Sequence, residues 1–298
     1  MTRLRCLSTA AAAATLFLLS GCAQTVGAGA EALSPSAAPA SPVLPDDDDA
    51  LMLRVAYTGG FVGPDMLAGR MPETSVYADG RVIFDGPVPA IYPGPALPNV
   101  QVLTISPDAL GTLLDKAVAA GVQDGADLGH PGVADAPTTE ITVRTAAGEQ
   151  TVGAEALNEA QADDPLLTAP QKQARKKLLA FIEELNRITT QPAGGTPQQY
   201  RPEVLAAIVR PYVEPGDGLP ERPKKVGWPG PALPGESLNP TVGINCVAAT
   251  GKQVDAVLAA AKEANAATPW TSGGKTYSVR LRPLLPDETG CADLKAAR

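Results

Sequence analysis

The sequence predicts an α+β fold: two similar halves, each of antiparallel strands with one packed helix, plus a long bracing helix. Three observations lead there. Short segments alternate apolar and polar residues with the period of a half-buried strand, as at 51–58 and 138–145. Between them lies a helical apolar pattern with its own start and stop signals, at 106–121. Parts of the first half then recur in the second.

In chain order, residues 51–58 read as a strand ending in Gly59-Gly60. Residues 75–84 read as a hairpin turning at Asp79-Gly80. A Pro-rich loop runs on through Pro98. Ser106 then caps a helix, with Pro107 at its first position and Asp108 behind it, where a helix N-terminus favours an acid. Its apolar face is Leu110, Leu113, Leu114, Ala117 and Val118, and Gly121 ends it. A loop to Pro137 leads into the strand 138–145, whose residues Glu140 to Arg144 alternate. The turn Ala146-Ala147-Gly148 opens a return at 149–152. A long helix follows over 170–188, with Ala174, Leu178, Phe181, Leu185 and Ile188 on one face.

Tyr92-Pro93-Gly94-Pro95-Ala96-Leu97-Pro98 recurs as Trp228-Pro229-Gly230-Pro231-Ala232-Leu233-Pro234, an offset of 136. The capped helix recurs at an offset of 144, with Thr250 in the place of Ser106 and Val254, Val257, Leu258 and Ala261 on the apolar face. Val143-Arg144 returns as Val279-Arg280, again at 136. A duplication accounts for this; so does a Pro/Ala-rich chain that reuses a turn phrase, since capped helices resemble one another. The plan that follows is a leader at 1–21, a tether at 22–50, a first half at 51–195 containing the long helix, and a second half at 196–298.

Arg3 and Arg5 precede an apolar run that ends in Leu19-Ser20-Gly21-Cys22. A positive start, a short apolar core and small residues at the cut make a secretory signal, too short for a membrane span of about 20 residues. The last four residues resemble the lipobox of bacterial lipoproteins, and the Ala-, Pro- and Gly-rich chain has the character of actinobacterial-type envelope lipoproteins. The resemblance implies a lipid on the Cys22 thiol, removal of Met1 to Gly21, and residence on the outer face of the bacterial cell membrane. Two or more acyl chains give stable anchoring. Residues 23–49 are Ala, Ser, Pro, Gly and acid, with little to bury, and read as a disordered tether; Asp46 to Asp49 read as a self-repelling spacer rather than a calcium site.

The chain carries net charge −8, and loss of the leader removes two arginines. Such a chain is a poor match for nucleic acid or an anionic lipid surface. Cys6 leaves with the leader and Cys22 takes the lipid, so Cys246 and Cys291 remain for a disulfide in an oxidising compartment.

Downstream, no constellation carries a reaction, and no cofactor or metal site is read. His130, the one histidine, has Asp127 three residues before it in a turn-rich loop. No Gly-x-Ser-x-Gly elbow supplies a nucleophile for that pair. Ser272-Gly273-Gly274-Lys275 fits Ser-x-x-Lys, the nucleophile motif of penicillin-binding proteins and β-lactamases, yet its glycines lead into a strand and the companion motifs are missing. Pro269 stands where a P-loop's leading glycine would be. The pairs Asp163-Asp164, Glu183-Glu184 and Asp287-Glu288 read as solvated. Tyr92 and Trp228 are the candidate binding residues, because each sets an aromatic on a stiff Pro-rich loop. The expected function is a lipid-anchored, non-catalytic binding or scaffolding module whose partner is an envelope protein, a glycan or a small ligand. The alternative is an exported hydrolase using Ser272 and Lys275 or a carboxylate pair.

Overall fold

The computed structural model describes residues 45–295, apart from 193–194, 215 and 217–222. The leader, the lipobox with Cys22 and most of the tether lie outside the described residues.

The fold is α+β, with two largely antiparallel sheets. The first half supplies β1 (Leu51–Gly59), α1 (Pro64–Gly69), β2 (Thr74–Tyr77), β3 (Arg81–Asp85), β4 (Val100–Thr104), α2 (Pro107–Ala120), β5 (Pro137–Thr145), β6 (Gly148–Glu155) and α3 (Ala169–Thr190). The second supplies β7 (Gln198–Gln199), β8 (Val204–Pro211), β9 (Val226–Gly227), β10 (Glu236–Asn239), β11 (Ile244–Thr250), α4 (Lys252–Lys262), β12 (Pro269–Ser272) and β13 (Lys275–Pro283). Sheet one runs β6-β5-β1-β2-β3-β4-β7, and sheet two β10-β11-β8-β13-β12-β9. All pairings are antiparallel except β9 with β12.

The sequence signals act as their chemistry dictates. The Ser106 hydroxyl accepts the Ala109 N–H, and Gly121 closes α2 at φ 100°, a left-handed conformation that costs glycine least. Thr168 and Gln171 form a reciprocal capping box at the start of α3. In β5, Thr139, Ile141 and Val143 face inward. α4 departs from expectation: Thr250 ends β11, and the N-cap is Gly251, which has no side chain to cap with. The acidic run departs as well. The Ala50 N–H donates to the Asp47 carbonyl in a turn, and Asp49 pairs with Arg81.

One face of sheet one buries Leu53, Val55, Val76 and Phe84 against Leu110, Leu113 and Leu114 of α2 and Leu178, Phe181 and Leu185 of α3. The long helix therefore belongs to the first core. One face of sheet two buries Leu205, Ala207, Val209 and Leu281 against Val254, Val257 and Ala261 of α4. The other two faces both meet the C-terminal segment. Leu285 packs on Tyr77, Ile83 and Val100 of sheet one. Leu284, Cys291 and Leu294 pack on Ala206, Ile208 and Cys246 of sheet two, beside Ala68 of α1. β8 is thus covered on both faces, which explains its unbroken apolar run from Leu205 to Val209.

The repeated elements share some pairings and not others. β5, the first strand after α2, and β13, the second after α4, each pair antiparallel with the first strand of their own sheet: Val143 lies opposite Leu53, and Val279 opposite Val209. The strand before α4 pairs directly with β8, whereas β2 and β3 separate the strand before α2 from β1.

Candidate functional site

The two Pro-rich phrases reach the same core by different means. Trp228 packs edge-on against buried Trp270, with ring centroids 5.5 Å apart, and its Nε1–H donates to the Pro231 carbonyl. Beyond it, Leu233 is buried in the core under α4. The first phrase belongs to a longer strap, residues 86–99. Its base closes where the Gly86 N–H donates to the Asn99 carbonyl (2.7 Å) and Asn99 Nδ2 donates to the Pro87 carbonyl (2.7 Å). Its far side docks on the second half: the Ala266 N–H donates to the Gly94 carbonyl (2.8 Å), Pro95 bridges to Asn265, and Ala96 and Leu97 pack on the α4 core. Five prolines between these anchors fix φ and remove backbone donors. Between the anchors the strap presents Val88 (62% exposed), Ile91 (62%) and Tyr92 (67%) to solvent.

A cleft lies on each side of the strap. One, about 710 Å3, runs between the strap and α4, lined by Leu97, Tyr200, Leu258 and Lys262. Burial first of all raises the Tyr200 phenol to about 12, and its hydroxyl donates to the Leu284 carbonyl. The other cleft, about 380 Å3, runs between the strap, α1 and the inner face of sheet two. There Arg210 Nη1 lies 2.8 Å from Asp65 Oδ1, and Arg280 Nη2 lies 3.7 Å from Asp65 Oδ2.

The residues with catalytic patterns are engaged elsewhere. His130 is exposed, and its Nδ1 lies 3.1 Å from Glu155 Oε2. Asp127 accepts from the Gln171 amide and the Gly129 N–H; these bonds, and His130, hold it below the ordinary carboxylate range. Ser272 and Lys275 are cross-strand partners at the Gly273-Gly274 turn. The Ser272 hydroxyl accepts the Leu233 N–H at 3.2 Å, and Lys275 is exposed. Among the described residues, no group of three or more His, Cys, Asp or Glu is arranged to hold a metal ion, and no helix is long and apolar enough to cross a membrane.

Two carboxylate pairs expected in solvent are corrected in part: Asp163 is exposed but Asp164 is not, and Asp287 and Glu288 hold buried groups in place. Asp164 is itself buried and accepts the Leu166 N–H. Asp287 Oδ1 accepts from the Tyr77 hydroxyl (2.7 Å) and from Arg54 Nη2 (2.8 Å), tying the C-terminal segment to sheet one. Glu288 grips buried Arg282 through both Nη atoms, at 2.6 and 2.7 Å, and accepts the Leu285 N–H. In the third pair, Glu184 joins Lys116 of α2 to α3. The disulfide from Cys246 to Cys291 (Cα–Cα 5.9 Å) ties the same segment to sheet two. A second buried cation, Arg175, donates to the carbonyls of Leu128, Glu155 and Ala156 and so fastens α3 to the end of β6. Its position in the middle of a helix gave no sign of burial in the sequence.

No family model matches the chain, and no curated protein is significantly similar to it.

Proposed function

We propose that this is a lipid-anchored, non-catalytic protein of the bacterial cell envelope, held to the outer face of the membrane through Cys22, that binds a ligand at the strap 86–99. The observation that carries the binding half is the strap itself. It is fastened at its base and far side and braced by prolines, yet it holds Val88, Ile91 and Tyr92 in solvent between two clefts. Stiff segments lose little entropy on binding, and exposed apolar and aromatic side chains supply contact energy. The anchoring half rests on the lipobox resemblance. The engagement of Ser272 and His130 in local structure favours binding over hydrolysis.

The test is a photoreactive phenylalanine analogue at Ile91, with Leu179 on α3 as a control of partial exposure (37%). Irradiation of intact cells should give one adduct of defined mass at position 91 and none at 179. Equal labelling at both positions, or none at either, contradicts the binding reading.

A further inference from the structure

We propose that the cleft between the strap, α1 and sheet two is an oxyanion site, taking the carboxylate or phosphate group of a small amphiphile whose apolar part lies against Val88 and Ile91. This rests on the binding reading above and names the class of ligand.

The floor of the cleft is cationic for a structural reason. Arg210 on β8 lies opposite Ser278 on β13, and Arg280 is two residues further along the same face. Alternation therefore sends both guanidiniums and the Ser278 hydroxyl to the side away from α4. Among the described residues, Asp65 is the one carboxylate that pairs with either arginine. It takes Arg210 closely and Arg280 loosely, and the cluster keeps one surplus positive charge in a chain of net charge −8. The two guanidinium side chains remain 48% and 42% exposed, so their unused N–H groups are reachable. A planar guanidinium matches the two oxygens of a carboxylate or phosphate, and an incoming oxyanion would complete the pairing that Asp65 leaves unfinished.

The Arg280 stem is also guided. It crosses the end of α1 at Gly69, where a Cβ would collide with its Cδ and press on its Cγ. Glycine at 69 thus lets the stem lie flat and directs the head towards Asp65. Across the cleft the strap offers Val88, Ile91 and proline rings. A charged floor facing an apolar wall suits a molecule with one anionic end and one apolar end better than it suits a free inorganic anion.

The test is calorimetric titration of the chain from residue 22 onward carrying Cys22→Ser, which keeps every described residue and needs no detergent. The probes are octanoate, octyl phosphate, neutral octanol and inorganic phosphate. At least one of the two anionic amphiphiles should bind at a ratio of one to one, at least tenfold tighter than octanol and than inorganic phosphate. Whichever of the two binds tighter identifies the headgroup. Arg280→Gln should weaken binding at least tenfold, and Gly69→Ala should weaken it by displacing the same side chain with its charge intact. Asp65→Asn removes the competing carboxylate and should tighten binding several-fold, a gain that misfolding cannot produce. Octanol binding as tightly as octanoate and octyl phosphate, unchanged affinity in Arg280→Gln, or loss of affinity in Asp65→Asn overturns the proposal. A neutral ligand captured at Ile91 in cells would overturn the oxyanion site and leave the binding reading standing. Absence of both capture and titration would remove both.

Discussion

Removal of the Asp287 carboxylate should measurably loosen the junction of the two sheets. Tyr77, which is fully buried, donates its hydroxyl to Asp287, and Arg54, whose side chain is 20% exposed, donates to the same oxygen. Burial, and then the neighbouring Asp287 charge, push the Tyr77 phenol well above its ordinary range, so it remains a protonated donor. Asp287→Ala removes the acceptor of the buried Tyr77 O–H and the charged partner of Arg54. An orphaned buried hydroxyl costs about 1–3 kcal/mol, and a lost hydrogen bond to a charged group about 1.5–3 kcal/mol. The second figure is discounted because Arg54 keeps water and the Ser75 hydroxyl as partners. The expected loss is about 3 kcal/mol. Tyr77→Phe removes the donor and leaves Asp287 paired with Arg54, and should cost about 1 kcal/mol. In the double variant no hydroxyl is stranded, so the two losses should fall short of additivity by about 1 kcal/mol. Urea unfolding followed by far-ultraviolet circular dichroism measures all three. A loss below about 0.5 kcal/mol for Asp287→Ala, or strict additivity, would refute the assignment of this contact as a junction clamp.

Three further outcomes follow from the same geometry. Replacing Cys246 and Cys291 by alanine opens a loop with a sequence separation of 45 and should cost about 4 kcal/mol in the chain-entropy account, with proteolysis beginning in the C-terminal segment. Asp293 sits below the ordinary carboxylate range because the Thr289 N–H, and with it the Gly290 N–H and the Thr289 hydroxyl, donate to it against a small burial penalty. Its contribution is therefore complete above a pH of about 4 and declines as pH falls through the lowered native value. Asp293→Asn should flatten that acid limb in pH-dependent unfolding, and an unaltered limb counts against the contact. Ser272→Ala should cost about 1 kcal/mol in thermal unfolding, from the lost bond to the Leu233 N–H, and leave ligand binding intact. A loss of binding without a loss of stability would reinstate Ser272 as a functional group.

Local chemistry was readable in the sequence where it was self-contained. Ser106, Pro107 and Gly121 set the limits of α2 by their own backbone and capping preferences. Asp79-Gly80 likewise set the turn from β2 to β3. What escaped depends on distant partners. β8 lacks alternation because both of its faces are covered. α1 is six residues long and has no buried residue of its own, so it carries little amphipathic signal. Asp287 looked solvated because its cation, Arg54, comes from β1 at the start of the fold, and Glu288 because the loop after β13 folds back onto Arg282. The strap was visible as a Pro-rich aromatic loop containing Tyr92. Its two clefts were not, since α1, sheet two and α4 form the opposite walls. Trp228 stood out by the same signal, and it lies against Trp270.

The claim on which location depends concerns residue 22, and the mass of the amino-terminal peptide from native membranes tests it most directly. The expected peptide begins at Cys22 and carries a diacylglyceryl group on the sulfur. A free thiol at that position, or a peptide still beginning in the leader, would contradict it.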